Sequence, residues 1–143
     1  MRLYFDTAYI AKCYLNEPDG KKVRKLATGA SELSSSAWCV AELACVFQGR
    51  IREGFLSQEQ AVELRDVFLE HVRDQVWTLF PVSDRLLFRV AEITASLPRA
   101  VHLRAGDAVH LVTAQQAGFT QIWSNDRRLL AAAMHLGLEG RTV

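Results

Sequence analysis

The sequence predicts an α/β protein in which a mainly parallel β-sheet is covered by helices on both faces. Short apolar segments alternate along the 143 residues with longer segments of helical periodicity. Parallel strands need crossover connections, which are usually helices, so this alternation favours a parallel sheet. No repeat, low-complexity segment or long linker divides the chain, and we expect one domain over residues 1–143.

The first half of the chain contains two predicted strands and four predicted helices. In order, these are a strand Arg2–Phe5, a helix capped by Thr7 and ending near Leu15, a basic helix Lys21–Thr28, a strand Glu32–Ser36, a helix Ala37–Arg52 and a helix that opens at Ser57. The helix at Ser57 is the best marked, because Ser57 and Gln60 have the spacing of a capping box. Apolar residues then follow at spacings of three and four.

The second half continues the alternation with three predicted strands and three predicted helices. In order, these are a strand Val76–Phe80, a helix from Leu86 to Leu97, a helix Ala105–Ala117, a strand Gln121–Ser124, a helix Asp126–Leu136 and a short strand near Arg141–Val143. Gly118 and Gly137 are placed as helix C-caps. In open parallel sheets, ligands bind outside the carboxyl ends of the strands, so residues that follow strands are the first candidates for a site.

Composition excludes several classes of protein. The 17 basic and 16 acidic residues give a formal net charge of +1, which excludes a strongly basic nucleic-acid coat. No apolar run approaches the ~20 residues that span a bilayer, and Asp6 interrupts the N-terminal apolar run too early for a signal peptide. The cysteines Cys13, Cys39 and Cys45 lie in hydrophobic segments without metal-ligand spacing, which predicts buried, reduced thiols. We therefore expect a cytoplasmic protein.

Two acidic residues directly follow predicted strands. Asp6 comes after Leu3–Phe5, and Asp126 comes after the strand that ends at Ser124. Each also precedes a helix, so an N-cap role is the plain structural explanation, worth roughly 0.3–1 kcal/mol through the helix dipole. Both nevertheless lie at carboxyl ends of strands, where a parallel sheet places its ligands.

Two further acidic residues lie within apolar helices. Glu42 is the only charge between Trp38 and Phe47, and this composition predicts a helix buried nearly all round. A buried carboxylate is costly unless it is paired, protonated or bound to a cation, so a salt bridge to Arg50 or to a distant arginine is an alternative. Asp107 lies in a similar helix with His110 one turn later, and for His110 we favour a hydrogen-bonding or merely packed role over metal ligation.

These four carboxylates would repel one another strongly if the fold gathered them. Two carboxylates ~4 Å apart cost about 4 kcal/mol at a surface-like dielectric. A bound divalent cation makes such a cluster tolerable at neutral pH. All-oxygen ligation suits Mg²⁺ or Mn²⁺, so Asp6, Glu42, Asp107 and Asp126 are predicted to bind one or two of these ions.

The order and spacing of four segments resemble the PIN-domain family. The segments are Tyr4–Ala8, Ser35–Leu43, Leu103–Leu111 and Trp123–Leu129 with Ala131–Ala133 behind it. The most similar subgroup is the VapC-type toxins of bacterial and archaeal toxin–antitoxin pairs. This resemblance implies a Rossmann-like three-layer α/β/α sandwich and cleavage of RNA that depends on Mg²⁺ or Mn²⁺, leaving a 5′-phosphate and a 3′-hydroxyl.

The resemblance also implies roles for individual residues. Asp6, Glu42, Asp107 and Asp126 match the metal-binding catalytic acids of the family, with supporting positions at Thr7, Ser124 and Asn125. It further implies a homodimer and a small antitoxin as partner, for which Tyr9, Tyr14 or Trp38 are candidate surface residues.

Basic residues beside the acidic motifs are candidates for binding RNA phosphates. Arg104, Arg127 and Arg128 flank these motifs directly. A second candidate set is the basic run Lys21, Lys22, Arg24 and Lys25. For this run, an ordinary solvated face is an equally good explanation.

Other functions fit the sequence less well. A haloacid-dehalogenase phosphatase would carry a second acid two residues after Asp6, where this chain has Ala8. Response-regulator receivers need paired N-terminal acids, and nucleotide-binding folds need glycine-rich motifs, neither of which occurs here. Two alternatives stay open: a non-catalytic RNA- or protein-binding module on the same fold, and an Mg²⁺-dependent phosphatase-like enzyme.

Overall fold

The computed structural model describes all residues from Met1 to Val143 as five strands and seven helices. The strands are β1 (Arg2–Tyr4), β2 (Glu32–Ser36), β3 (Trp77–Phe80), β4 (Gln121–Trp123) and β5 (Glu139–Arg141). The helices are α1 (Thr7–Tyr14), α2 (Gly20–Thr28), α3 (Trp38–Arg52), α4 (Gln58–Arg73), α5 (Asp84–Ala95), α6 (Ala105–Gln116) and α7 (Arg127–Ala133). The predicted α/β architecture with a parallel sheet is confirmed.

All strand pairs in the structure are parallel. β2 lies in the middle of a three-stranded sheet, where Leu33 is opposite Leu3 of β1 and Trp77 of β3. β4 pairs with β5 in a second, two-stranded sheet. A parallel bridge between Phe5 and Trp123 connects the two sheets, so the strand order is β3–β2–β1–β4–β5.

The strand order reverses between β1 and β4, and the candidate site lies at the carboxyl ends of these two strands. From β1 the chain first builds strands on one side, and β4 later pairs on the other. At the junction, the backbone N–H of Asp6 donates to the carbonyl of Trp123 at 3.1 Å. Such a reversal leaves a crevice at the carboxyl edge of a parallel sheet, where ligands bind.

Two hydrophobic cores lie on the two faces of the sheet. Because side chains alternate along a strand, Leu3 and Phe5 of β1 belong to one core and Tyr4 belongs to the other. The first core includes residues of α1, α2, α3 and α4, and the second includes residues of α5, α6 and α7. The three-layer α/β/α sandwich follows from this division.

Several helix and strand boundaries differ from those predicted. Thr7 is the first residue of α1, and the N-cap is Asp6, whose side chain accepts a hydrogen bond from the Tyr9 backbone N–H. The last helix ends at Ala133 and continues as a 3₁₀ turn, and the last strand covers Glu139–Arg141. The predicted capping box of α4 at Ser57 is present.

Some burial predictions were wrong. α3 is buried along one stripe only, and Trp38, Val40 and Cys45 on its other side are exposed. The prediction that all three cysteines are buried holds only for Cys39, because Cys13 is half-buried and Cys45 is exposed, although all three are free thiols. Tyr9, predicted as a candidate surface residue, is fully buried.

None of the helices combines the length and the apolar character needed to span a bilayer.

Candidate active site

A cavity of about 650 Å³ opens at the carboxyl edge of the sheet. All four acidic residues singled out in the sequence line it, together with residues of α1, α3 and α6. The lining residues are Asp6, Thr7, Ala8, Trp38, Ala41, Glu42, Cys45, Val46, Asp107, His110 and Asp126. The fold therefore brings together carboxylates that are up to 120 positions apart in the chain.

Asp6 is the most buried of the four acids. It follows β1, caps α1 through Oδ1 at 2.9 Å from the Tyr9 backbone nitrogen, and accepts a short hydrogen bond at Oδ2 from the Ser124 hydroxyl. Burial raises the pKa of the Asp6 carboxyl, although Ser124, His110 and the Tyr9 N–H each counteract that rise. Ser124 thus connects the ends of β1 and β4 at the floor of the cavity.

Asp126 occupies the corresponding place after β4 and is exposed at the cavity rim. Its Oδ1 accepts from the backbone N–H groups of Arg128 and Leu129, at 2.8 and 3.2 Å, and so caps α7. Oδ2 makes no hydrogen bond, and one oxygen of the cap is therefore available to a ligand.

Glu42 is held by two neighbours from other helices. Its Oε1 accepts from the Thr7 hydroxyl at 2.8 Å and lies 2.7 Å from Nε2 of His110. Burial raises the pKa of Glu42, but hydrogen bonds from His110 and Thr7 and the charge interaction with His110 outweigh it, and the pKa is lowered overall. The alternative partner Arg50 instead pairs with Glu17 and Glu53.

His110 contacts the acidic residues from below the cavity surface. It is 1% exposed, and its Nδ1 lies 3.0 Å from the hydroxyl of Tyr4. Burial strongly raises the pKa of Tyr4, so this hydroxyl is protonated at neutral pH. The predicted hydrogen-bonding role of His110 is confirmed.

Asp107 shows that the carboxylates interact. Burial and repulsion from Asp126, Asp6 and Glu42 raise its pKa to about 6. Its side chain makes no hydrogen bond or ion pair with protein groups. A carboxylate with these properties favours a cation as its partner.

The donor set fits Mg²⁺ or Mn²⁺ by its chemistry. The carboxylates are hard oxygen ligands, which these ions prefer, and their mutual repulsion is what a divalent cation relieves. No three His, Cys, Asp or Glu side chains are gathered closely enough to form a ligand set. The four acids thus line one cavity without forming a close cluster. Mutual repulsion of their negative charges is consistent with this open arrangement.

One wall of the cavity is apolar and comes from α3. Trp38, Ala41, Cys45 and Val46 contribute to it. Gly106 of α6 packs against this wall so closely that an added Cβ would lie 3.1 Å from Glu42 Oε2 and 3.1 Å from Trp38 Nε1. A glycine at this position keeps α6 close to Glu42.

The other predicted site residues lie around the cavity. Thr7 and Ser124 contact Glu42 and Asp6 directly, whereas Asn125 is exposed and accepts a hydrogen bond from Thr142 at 2.6 Å. The arginines predicted to bind phosphate are exposed and form no ion pairs: Arg104, Arg127 and Arg128. None of the basic run on α2 lines the cavity, which favours the solvated-face explanation for that run.

Sequence reasoning missed Tyr4 as part of the site. The signal was present, because alternation in β1 places Tyr4 on the face opposite Leu3 and Phe5. A tyrosine in a buried strand needs a partner for its hydroxyl. The histidine that satisfies it is 106 residues away in the chain, and no local pattern identifies such a pair.

The fold and the acidic cavity define an α/β protein with a carboxylate-lined site at the switch point of a parallel sheet. The PIN domain profile matches residues 3–134, and the chain belongs to this family, whose members are generally nucleases. No curated protein matches the chain in sequence.

Three solved structures are similar to this chain in fold. A crystal structure of VapBC2 from Rickettsia felis bound to a DNA fragment from their promoter has a TM-score of 0.70 at 16% identity, covering 99% of this chain and 98% of that chain. FitAcB from Neisseria gonorrhoeae has a TM-score of 0.66 at 17% identity, with coverage of 98% and 96%. FitAB bound to an IR36 DNA fragment has a TM-score of 0.66 at 16% identity, with coverage of 99% and 94%.

Proposed function

We propose that the protein is a metal-dependent endoribonuclease and the toxin of a VapBC-type toxin–antitoxin pair. The observation that carries this proposal is the convergence of four carboxylates, from separate segments of a PIN domain, on one open cavity. Burial and repulsion from the other acids raise the pKa of Asp107, which supports a cation-binding role for the group.

Asp6, Glu42, Asp107 and Asp126 would hold Mg²⁺ or Mn²⁺ in this cavity. The bound ion would lower the pKa of an attacking water and stabilise charge that develops on the phosphate. The protein supplies the placement of the acids, because Ser124 fixes Asp6 and the pair Thr7 and His110 fixes Glu42.

His110 is not placed to act as a general base on the substrate. It is 1% exposed, and both ring nitrogens already have partners within the protein. A general base must come within hydrogen-bond reach of the proton that it removes. Hydrolysis in this site therefore depends on the carboxylates and the ion that they bind.

RNA phosphates would contact the exposed arginines around the cavity. Arg127 and Arg128 begin α7 directly after Asp126, and Arg104 precedes α6. Their side chains form no ion pairs in the protein, so they are available to phosphate oxygens. Contacts of this kind position a nucleic acid without reading its sequence.

The proposed partners are a small antitoxin protein and a second copy of the chain, in the cytoplasm. The similar solved structures include VapBC2 and FitAB, which are toxin–antitoxin pairs. The exposed apolar side of α3, at Trp38 and Val40, borders the cavity and offers the kind of surface that protein partners cover.

The test compares wild type with Asp107→Asn on a pool of structured RNAs in Mg²⁺, Mn²⁺ or EDTA. Asp107 is the best position because its side chain has no hydrogen bond to lose. Glu63→Gln, an exposed charge on α4, is the matched control. We expect metal-dependent cleavage by wild type and the control, and none by Asp107→Asn. Equal cleavage by all three proteins would refute the proposed site.

A further inference from the structure

A chain of buried hydrogen bonds runs from β1 to Glu42 beneath the cavity. The Tyr4 hydroxyl lies 3.0 Å from His110 Nδ1, and His110 Nε2 lies 2.7 Å from Glu42 Oε1. Tyr4 is 0% exposed and His110 is 1% exposed. His110 contacts the acidic cluster directly through Glu42, and Tyr4 reaches the cluster only through His110.

The contacts determine which ring nitrogen of His110 carries the proton. A carboxylate only accepts hydrogen bonds, so Nε2 must be the protonated nitrogen that faces Glu42. The Tyr4 hydroxyl lies 3.0 Å from Nδ1, and an unprotonated Nδ1 can accept its proton in a hydrogen bond.

The same contacts make the two oxygens of Glu42 different from each other. Oε1 receives both hydrogen bonds, from His110 and from the Thr7 hydroxyl at 2.8 Å. Oε2 makes no hydrogen bond and lies near Gly106, on the α6 side of the cavity. One oxygen is therefore fixed by the protein, while the other has no hydrogen-bond partner in the protein.

We propose that Tyr4 and His110 are positioning residues that lock the Glu42 side chain with Oε2 directed towards the bound cation. Tyr4 holds His110 in its Nε2–H form, and His110 holds Oε1. This inference rests on the proposed function, because Glu42 is a ligand only if the cavity binds a metal ion. Hydrogen bonds behind a metal ligand commonly change affinity roughly 10- to 100-fold when they are removed.

The first test examines the metal-free protein, so its result does not depend on activity. Correlation spectra between ring protons and ¹⁵N nuclei of histidine distinguish the two neutral forms and the charged ring. We expect wild-type His110 to show a protonated Nε2 and an unprotonated Nδ1, and Tyr4→Phe to show a mixture of both neutral forms. A protonated Nδ1 in the wild type would overturn the proposal.

The second test measures Mn²⁺ affinity by titration calorimetry. Tyr4→Phe removes one oxygen and keeps the ring that packs edge-on against Phe119. Tyr14→Phe is the matched control, because its hydroxyl also bonds a histidine Nδ1, that of His71 at 2.7 Å, outside the cavity. We expect Mn²⁺ affinity roughly tenfold weaker in Tyr4→Phe and unchanged in Tyr14→Phe.

The outcomes separate this inference from the proposed function. If the wild type binds Mn²⁺ and cleaves RNA, but Tyr4→Phe binds Mn²⁺ with unchanged affinity, the positioning role is wrong and the nuclease assignment stands. Wild type that binds no Mn²⁺ would overturn both. A merely structural role would lower the melting temperature of both tyrosine variants without changing Mn²⁺ affinity, and that result would also count against the proposal.

Discussion

Replacing Asp107 by asparagine removes a carboxylate whose charged form is disfavoured by burial and by the neighbouring acids of the cavity. Burial and the charges of Asp126, Asp6 and Glu42 raise the pKa of Asp107 from 3.8 to about 6. An asparagine has nearly the same shape and no charge. We therefore expect Asp107→Asn to stabilise the metal-free protein at neutral pH while it abolishes cleavage.

The size of this stabilisation follows from the pKa. A difference of about two between the folded and unfolded pKa corresponds to roughly 3 kcal/mol, since one pKa unit equals about 1.36 kcal/mol. The Asp107 side chain is only half-buried, so solvent screens the interaction and we expect about 1 kcal/mol. For a domain of this size, that gain raises the melting temperature by about 3 °C.

The pH dependence has a definite sign. Because the pKa of Asp107 is raised in the folded state, the unfolded chain releases this proton at lower pH than the folded chain does. Asp107 therefore lowers the stability of the wild type as pH rises from about 4 to about 6, and the full penalty is present above that range. The advantage of Asp107→Asn should disappear near pH 4, where both states of the wild type hold the proton.

The assay is thermal unfolding in EDTA between about pH 4 and pH 7, with Glu63→Gln as the exposed control. The control should follow the wild type throughout. If Asp107→Asn is less stable than the wild type at pH 7, or if its advantage persists unchanged at pH 4, the reasoning from charge repulsion is wrong.

Four further predictions concern the site. Asp126→Ala should abolish cleavage, and because it removes the N-cap of α7 it should also lower the stability measured by thermal unfolding by about 1 kcal/mol. Asp126→Asn should abolish cleavage only, because asparagine also caps helices. Gly106→Ala should reduce cleavage, because the added methyl group would push against Glu42. Gly118 lies at φ +79° with open space around it, so Gly118→Ala should lower the free energy of unfolding by about 1 kcal/mol and leave cleavage unchanged. Mn²⁺ at about 100 times its Kd should stabilise the wild type by roughly 2.7 kcal/mol in calorimetry. Arg127→Ala should raise KM for RNA and weaken the salt dependence of binding.

Each of these predictions has a contrary result. Full cleavage by Asp126→Asn would remove that residue from the site, and normal cleavage by Gly106→Ala would show that Glu42 can move without consequence. A melting temperature that does not respond to Mn²⁺ would argue against a metal site. An unchanged salt dependence in Arg127→Ala would place the RNA elsewhere on the protein.

Local patterns predicted most of the fold, because they arise from interactions between nearby residues. The capping box at Ser57 and the strand Glu32–Ser36 lie where they were predicted. The ambiguity at Asp6 and Thr7 is also local. Both residue types cap helices well, and only the pairing of β1 with β4 makes Asp6 the last extended residue before α1.

The sequence could not predict how α3 is buried. A helix with apolar residues on every side is predicted to be fully buried, but the buried residues of α3 form one stripe, Cys39, Leu43 and Phe47. Trp38 and Val40 remain exposed. Composition likewise showed that Glu42 needs a partner without identifying it. That partner, His110, is 68 residues away and comes close only through the packing of α6 beside α3.

The plain and the functional explanations of the acidic residues are compatible. Asp126 caps α7 through Oδ1 alone, and Glu42 accepts both of its hydrogen bonds through Oε1 alone. In each case the protein uses one oxygen to fix the side chain and leaves the other without a hydrogen-bond partner. A cap at the carboxyl end of a strand is therefore a way to hold a carboxylate rigidly beside a ligand. For Asp6 both oxygens are engaged, so binding a cation there requires the Ser124 hydroxyl to share or release Oδ2.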